Sequence, residues 1–461
     1  MKIKLYSKEK EFLSEALKKA GYPVAQPCGG MGKCGKCTVL LNGVPVKACS
    51  TFIDGENEVE LEQVSGGNIL LGGEDSIVPD APEKGLGAAV DLGTTTVAVR
   101  IFDLETGVVI ASHTDWNAQS PYGADVISRI DYINRNNALD ELSGVIRRQI
   151  FSFLAPFNVK RVFLAGNTVM QHIFAGLSPS SIAVAPFTPV TLFEAYSEAL
   201  NAIPVTYSPC AAGYVGGDIT AGLLASGLHR AEKPSLFIDI GTNGEMGIGN
   251  KDGFTVCAVA SGPAFEGAEI SCGMPGLPGA VNHVSLENGE VKYTVIGDVP
   301  PKGICGSGLI DLLAVLLENE DLDASGRLDE TFYLAENIYL TGADVRKLQL
   351  AKAAVRAGIS VLMEETGIGF EDIEHLYISG GFGNYLNVEN AAKIDMLPRE
   401  LAGKTVLLGN SSLKGASMAL LCEKKRKELF EIQKKCRYTE LSGSGQFSEE
   451  FIEHMMLGEE E

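Results

Sequence analysis

The chain has 461 residues, 45% hydrophobic and 21% charged, the composition of a folded protein with at least two cores rather than a disordered one. With 38 Lys+Arg against 59 Asp+Glu, the net charge of −21 argues against nucleic acid or an anionic membrane as partner. A bound phosphate must then be held by local donors or a metal, not by the overall field. Met1 to Lys10 is charged and has no apolar signal region, and no run approaches the ~18 apolar residues of a membrane helix. Ten cysteines in such a chain predict a reducing, cytoplasmic setting in which thiols bind metals or pack.

Residues 1–65 read as a small separate unit. Lys2-Ile3-Lys4-Leu5-Tyr6 predicts a strand. From Ser7 to Ala20 the period is helical, with Phe12, Leu13, Ala16, Leu17 and Ala20 on one face, Ser7 as N-cap, and Gly21 and Pro23 as the stop. Cys28, Cys34, Cys37 and Cys49 follow in the spacing C-x5-C-x2-C-x11-C, and Thr38 to Val46 between the last two reads as a hairpin turning on Asn42-Gly43. Four thiolates can hold two irons and two sulfides, and Gly29, Gly30, Gly32 and Gly35 let the loop wrap closely with N–H groups toward the sulfurs. A four-cysteine zinc site is the alternative. It usually uses two C-x2-C pairs, and only Cys34/Cys37 forms one here, so the spacing favours iron–sulfur. Residues 66–86, with Gly66, Gly67, Gly72, Gly73, Pro79 and Pro82, read as a linker.

The second unit starts near Gly87. Ala88 to Phe102 predicts a strand–turn–strand around Asp91-Leu92-Gly93-Thr94-Thr95-Thr96. The pattern returns at Asp239-Ile240-Gly241-Thr242-Asn243-Gly244-Glu245, within a hairpin at 235–249. Each hairpin is followed by a strand, a turn and a helix, at Ala165–His172 and at Ser379-Gly380-Gly381-Phe382-Gly383-Asn384. Further helices are expected at 140–154, 216–225, 309–317 and 343–365, and residues 177–210, with five prolines, as a surface excursion. Such an arrangement predicts a duplicated α/β core of two lobes, about 87–232 and 233–461, with an anion held in the cleft by backbone N–H groups of both turns. Asp218 follows Gly216-Gly217 at a helix start and is either a metal- or water-positioning residue or a cap; Glu245 is a weaker candidate of the same kind. Cys210, Cys257, Cys272, Cys305, Cys422 and Cys436 have no ligand spacing and read as packing or incidental surface thiols. There is no G-x4-G-K-[ST] loop, and the glycine turns at 93 and 241 join strand to strand, unlike a dinucleotide fingerprint.

The cysteine loop resembles that of the 2Fe-2S ferredoxins, which implies a β-grasp fold, though with room for one strand before the helix and a shorter gap before Cys49. The paired hairpins and the 379–384 turn resemble the superfamily of actin, sugar kinases and heat-shock-cognate chaperones. By that resemblance Asp91, Asp218 and Asp239 are the catalytic candidates, with Asp91 and Asp239 holding water-bound Mg²⁺. Gly93, Thr94, Thr95 and Thr96 would bind ATP phosphates from one lobe, and Gly241, Thr242, Asn243 and Gly244 from the other. Gly380, Gly381 and Asn384 would lie at the adenosine.

Together the two units resemble the reductive activators of corrinoid proteins. That resemblance implies an ATP-hydrolysing enzyme that passes one electron from its 2Fe-2S cluster to Co(II), giving Co(I). Its partners would be a corrinoid protein of a methyltransferase system and an upstream low-potential electron donor, with room for a homodimer. Family members can carry a further domain between the two units, and here only the short linker is expected. Two other readings stay open: a small-molecule kinase with an accessory cluster, and an ATP-dependent electron donor to another low-potential enzyme such as a dehydratase.

Overall fold

The computed structural model describes residues 2–20, 22, 24, 32, 37–61, 77–194, 196–381, 385–441 and 443–458. The N-terminal unit comprises β1 (Lys2–Phe12), α1 (Leu13–Lys19), β2 (Thr38–Leu41), β3 (Val44–Lys47) and β4 (Phe52–Glu60), with every paired strand antiparallel in the order β1–β4–β2–β3. The expected hairpin closes on Asn42 (φ 50°) and Gly43 (φ 81°), the left-handed pair that matches the twist of its strands.

The helix expected from Ser7 starts only at Leu13. The strand instead runs on to Phe12, because β4, unforeseen in the sequence, offers backbone partners from Glu60 back to Phe52. Phe12 stacks on Phe52 with ring centroids 4.1 Å apart, and Ser7 caps nothing: its Oγ donates to the Glu9 carbonyl at 2.7 Å, where the register shifts. The apolar period does operate within the shorter helix. Leu13, Ala16 and Leu17 bury against Cys37, Val39, Ala48, Cys49, Ile53 and Val59.

The next sheet is built by β5 (Leu86–Leu92), β6 (Thr96–Asp103), β7 (Val109–Trp116), β8 (Val159–Gly166), β9 (Ser197–Leu200) and β10 (Ile203–Tyr207), in the order β7–β6–β5–β8–β10–β9. Helices α2 (Val126–Asn136), α3 (Leu139–Leu154), α4 (Thr168–Phe174) and α5 (Gly217–Ser226) belong to this lobe. The proline-rich excursion expected at 177–210 therefore contains a core strand. Pro204 sits at its start, and β10 joins β8 only from Val205 onward, so the missing N–H breaks no bond of that ladder.

The second lobe opens with β11 (Ser235–Ile240), β12 (Gly244–Asn250) and β13 (Gly253–Val259). A small sheet of β14 (Ala280–Glu287), β15 (Glu290–Val295) and β16 (Gly303–Ile304), then α6 (Gly306–Glu318), the hairpin β17 (Phe332–Ala335) and β18 (Ile338–Leu340), and α7 (Gly342–Thr366) intervene. The main sheet then resumes with β19 (Leu376–Ser379), followed by α8 (Val388–Lys393), α9 (Arg399–Ala402), β20 (Thr405–Gly409), α10 (Ser411–Leu421), α11 (Glu423–Lys435), β21 (Cys436–Tyr438) and α12 (Gly445–Glu453). Its order is β20–β19–β11–β12–β13–β21. Leaving out the added edge strands β9 and β21, each lobe has a three-stranded antiparallel meander whose first strand pairs in parallel with a fourth, and the fourth with a fifth. The duplication expected from the hairpins is thus a duplicated topology.

Each lobe has its own apolar core, and a third lies between them, built by α5 and α10 with Phe163, Phe237 and Phe254 from the two sheets. The two helices touch through glycine. A Cβ on Gly415 would stand 2.0 Å from the Ala221 carbonyl oxygen, and one on Gly222 would stand 2.4 Å from the Phe237 ring. The segment before β5 is also fixed: Asp80 accepts from the backbone N–H groups of Glu423 (2.7 Å) and Lys424 (2.9 Å) at the start of α11, and Arg161 pairs with Glu83 at 2.8 Å. The last part of the expected linker therefore belongs to the two-lobed body. The N-terminal unit meets the first lobe at Lys18, whose ammonium lies 3.6 Å from the Tyr122 ring centroid. Because the clash at Gly415 is with backbone, Gly415→Ala is expected to lower stability by about 2 kcal/mol or more, as seen by chemical denaturation.

Candidate nucleotide cleft and paired thiols

The ends of β5 and β11 face one cavity of about 230 Å³, lined from both lobes. It brings together Asp91, Gly93, Thr94, Thr95, Thr96, Asp218, Asp239, Gly241, Thr242, Asn243, Gly380 and Gly381, which lie far apart in the chain; Gly244 begins β12 beside them. Asn384, Cys28 and Cys34 lie outside the described residues.

Local bonding shapes both turns. In the first, the carbonyls of Gly93, Thr94 and Thr95 are taken from within the lobe by Asn117 Nδ2 (2.8 Å), Arg129 Nη2 (2.6 Å) and the Asn117 backbone N–H (2.8 Å). In a trans peptide the next N–H points opposite the carbonyl, so those of Thr94 and Thr95 are presented on the cleft side. Asn167, the N-cap of α4, adds a 2.9 Å bond from Nδ2 to Thr94 Oγ1. In the second turn, Ser261 Oγ lies 3.3 Å from the Gly241 carbonyl and 3.4 Å from that of Thr242. At the third glycine turn, Gly380 has φ 118°, and a Cβ there would stand 2.2 Å from the Ile240 carbonyl; at Gly381 that space is open. Glycine at 380 is thus required by the strand beside it.

The two β-strand carboxylates are held by residues that sequence reasoning missed. Asn410 Nδ2 donates to Asp91 Oδ2 at 2.8 Å and Ser412 Oγ to Oδ1 at 2.7 Å. Both belong to the α10 N-terminus, so an acid of the first lobe is gripped by the second. The available signal was Asn410-Ser411-Ser412, a capping sequence after the apolar run of β20. Asp239 accepts from Ser379 Oγ at 2.7 Å. Asp218 is not the cap of α5, a position taken by Gly216; its Oδ1 accepts from the Ile219 N–H at 2.9 Å. Glu245 stands opposite Asp239 in the β11/β12 register.

Among the described residues, six carboxylates line the cavity and no Lys, Arg or His does. Burial raises Asp91, Asp218, Asp239, Glu245 and Glu266 above the usual carboxylate range, and mutual repulsion adds to it for Asp218, Asp239 and Glu245. Asp218 is pushed up to about 8 and Asp239 to about 6. Fully buried Arg129 stands behind the Thr94 carbonyl, and no carboxylate lies within ion-pair distance of it among the described residues. The set fits a phosphate chain entering with a divalent cation: N–H groups and hydroxyls for the phosphates, carboxylates for the cation's water shell. Among the described residues, no group of three or more His, Cys, Asp or Glu is arranged to chelate a bare ion.

In the N-terminal unit the Cys37 and Cys49 sulfurs lie 3.2 Å apart, both buried. Two converging sulfurs are of the chemistry that a shared metal atom takes as ligands. Cys210 and Cys257 are fully buried, and Cys305 is buried, donating to the Val281 carbonyl, as expected of packing thiols, although Cys305 also borders the cleft.

Residues 233–461 match the family model described as the C-terminal domain of RACo, the ASKHA domain, and residues 86–231 the RACo middle region. The corrinoid activation enzyme RamQ of Eubacterium limosum is 33% identical over 88% of this chain and 76% of its own. The chain belongs to the corrinoid activators. A second relative, a [Co(II) methylated amine-specific corrinoid protein] reductase of Methanosarcina barkeri, is 27% identical over 76% of this chain and 72% of its own. A solved reductive activator for a corrinoid, iron-sulfur protein superposes with a TM-score of 0.77 at 32% identity, covering 96% of this chain and 95% of that one. The ATPase body of this activator thus has the ASKHA fold. The region matched to the RACo middle region, residues 86–231, covers the first lobe from β5 onward. No helix among the described residues is long and apolar enough to cross a membrane.

Carboxyls raised by burial hold protons in the folded state that the unfolded chain releases above about pH 4. Stability is therefore lost as pH rises from about 4 through the folded values, about 6 for Asp239 and about 8 for Asp218. Without divalent cations or nucleotide, the unfolding free energy is expected to fall between pH 6 and 8, by about 1.4 kcal/mol per pH unit for each group still titrating, and the melting temperature with it. Asp218→Asn is expected to flatten that fall in a calorimetric pH series.

Proposed function

We propose that this activator uses ATP to drive one-electron reduction of a corrinoid protein from Co(II) to Co(I), the electron leaving a 2Fe-2S cluster in the N-terminal unit. The observation that carries the reading is the presence, in one chain of this family, of a two-turn phosphate cleft and a converging pair of buried thiols. Residues 1–65 are the electron-carrying, ferredoxin-like β-grasp unit, 66–86 the connection, and 87–232 and 233–461 the two ATPase lobes. Cys28, Cys34, Cys37 and Cys49 are the cluster ligands, and the bound cluster supplies a one-electron carrier.

Gly93 to Thr96 and Gly241 to Gly244 grip the phosphates from opposite lobes. Asp91 and Asp239 orient the water shell of Mg²⁺, which offsets the crowded carboxylates when bound. Asp218 lies beside both and orients the attacking water. Gly380, Gly381 and Asn384 border the adenosine. The partners are a corrinoid protein of a methyltransferase system and a low-potential donor upstream, in the cytoplasm.

For a one-electron step each 59 mV uphill costs about 1.4 kcal/mol. ATP can supply that only by binding the states before and after transfer with different affinity. A cleft whose two walls belong to different lobes provides such a difference, since grip on the phosphates and the angle between lobes are one variable.

The test is anaerobic. Mixed with a Co(II)-corrinoid protein, a reductant and Mg-ATP, the protein is expected to bring up the Co(I) absorption, and without ATP it is not. Cys49→Ser is expected to lose the visible cluster absorption and Co(I) formation while keeping ATP hydrolysis within about twofold. Equal Co(I) formation with and without ATP would refute the coupling.

A further inference from the structure

Glu266 lies on neither hairpin, yet it is where they meet. Its Oε2 accepts from Thr95 Oγ1 of the first lobe at 2.9 Å and from Thr242 Oγ1 of the second at 2.7 Å, and those two hydroxyl oxygens are 3.1 Å apart. The Thr242 backbone N–H also stabilises the carboxylate. A Cβ on Gly241 would stand 3.4 Å from Oε1, so the carboxylate lies against the second turn as well. The donors read as phosphate ligands therefore already share an anion, and it is the protein's own.

The side chain is aimed there by its neighbours. Glu266 ends a single turn, Ala264–Glu266, whose Phe265 is buried in the core of the second lobe. Gly267 leaves that turn at φ 74°, where a Cβ would stand 2.4 Å from the Met274 backbone nitrogen. The backbone is thus fixed on both sides, and a recess of about 20 Å³ lined by Trp116, Ala124, Pro263 and Pro275 adjoins the side chain.

We propose that Glu266 is a positioning residue that stands in for the terminal phosphate of ATP, latching Thr95 to Thr242 until that phosphate displaces it, and so makes the cleft discriminate ATP from ADP. The inference rests on the ATP reading above. Two anions that share the same few donors at close range repel each other. A nucleotide lacking the terminal phosphate leaves the latch in place, whereas one carrying it must turn the carboxylate out. Glu266 thus opposes ATP binding and keeps its own cross-lobe contact until the third phosphate takes its place.

Trp116 is the single tryptophan of the chain and lines both the cleft and the recess, so its fluorescence reports on this point directly. Mg-ATP and Mg-ADP would be titrated into the full-length wild type, Glu266→Gln and Glu266→Ala, with calorimetry alongside. Glu266→Gln keeps the shape and an acceptor for the threonines but removes the charge. It is expected to bind Mg-ATP about tenfold more tightly, a gain of about 1.4 kcal/mol, with Mg-ADP changed less than twofold. Glu266→Ala is expected to shift the ATP-to-ADP ratio in the same direction. A purely structural role would lower the melting temperature and move both nucleotides alike. Unchanged or weaker ATP binding in both variants, or equal gains for ATP and ADP, would overturn the proposal while leaving the ATP reading intact. Wild type that binds neither nucleotide by calorimetry would remove that reading and the proposal with it.

Discussion

Burying several carboxylates in one cleft is the constraint on which the rest of the structure depends. Like charges brought together out of water are costly, and each must find donors or a proton. Asn410 and Ser412 provide donors for Asp91, Ser379 for Asp239, and the Thr95 and Thr242 hydroxyls for Glu266. None of these donors is a cation. The Arg129 guanidinium is turned to the back of the first turn, where it fixes the Thr94 carbonyl and does not line the cleft. Such an arrangement is unfavourable while empty, and a site of this chemistry favours a cation that arrives with its own anionic ligand over either alone.

The same constraint explains why the two lobes are not independent. A strand end from each lobe supplies an acid, and the donors come from across the junction or from the neighbouring strand. The repeated sheet order places those strand ends face to face, as the duplicated architecture requires, and the shared core of α5 and α10 keeps them there. Duplication alone would give two half-sites; the interlobe core makes them one.

Much of this was legible in the chain. The turns at 91–96 and 239–245 are local: a β run, an Asp, a Gly and a Thr within six residues, which no tertiary contact needs to complete. Gly380 was legible as a residue that must lack a side chain, though the clash it avoids is with the Ile240 carbonyl, a contact the sequence does not display. Other features depend on pairing. Residues 7–12 carry a helical period, yet they form a strand because Phe52–Glu60 offers a ladder from far along the chain, and tertiary pairing outweighs a short amphipathic signal. β10 was hidden by its proline, which sits just where the ladder does not need it. Asn410, Ser412 and Glu266 were missed as site residues because each is ordinary in its own segment: a cap, a hydroxyl after it, and an acid in a glycine- and proline-rich loop. Only the fold gives them a role.

The glycine contact between α5 and α10 has one more consequence. With no side chain at Gly415 or Gly222, the helices meet almost backbone to backbone, so the lobes have a fulcrum rather than a cushion. Bodies that touch at so narrow a bearing roll about it more easily than they slide or part. Points close to the bearing then travel little, and points far from it travel a long way for the same angle. Asp91, bonded to the first residues of α10, sits at the slow end of that lever. The outer edges of the two sheets lie at the fast end, where a small change of angle at the bearing becomes a large displacement.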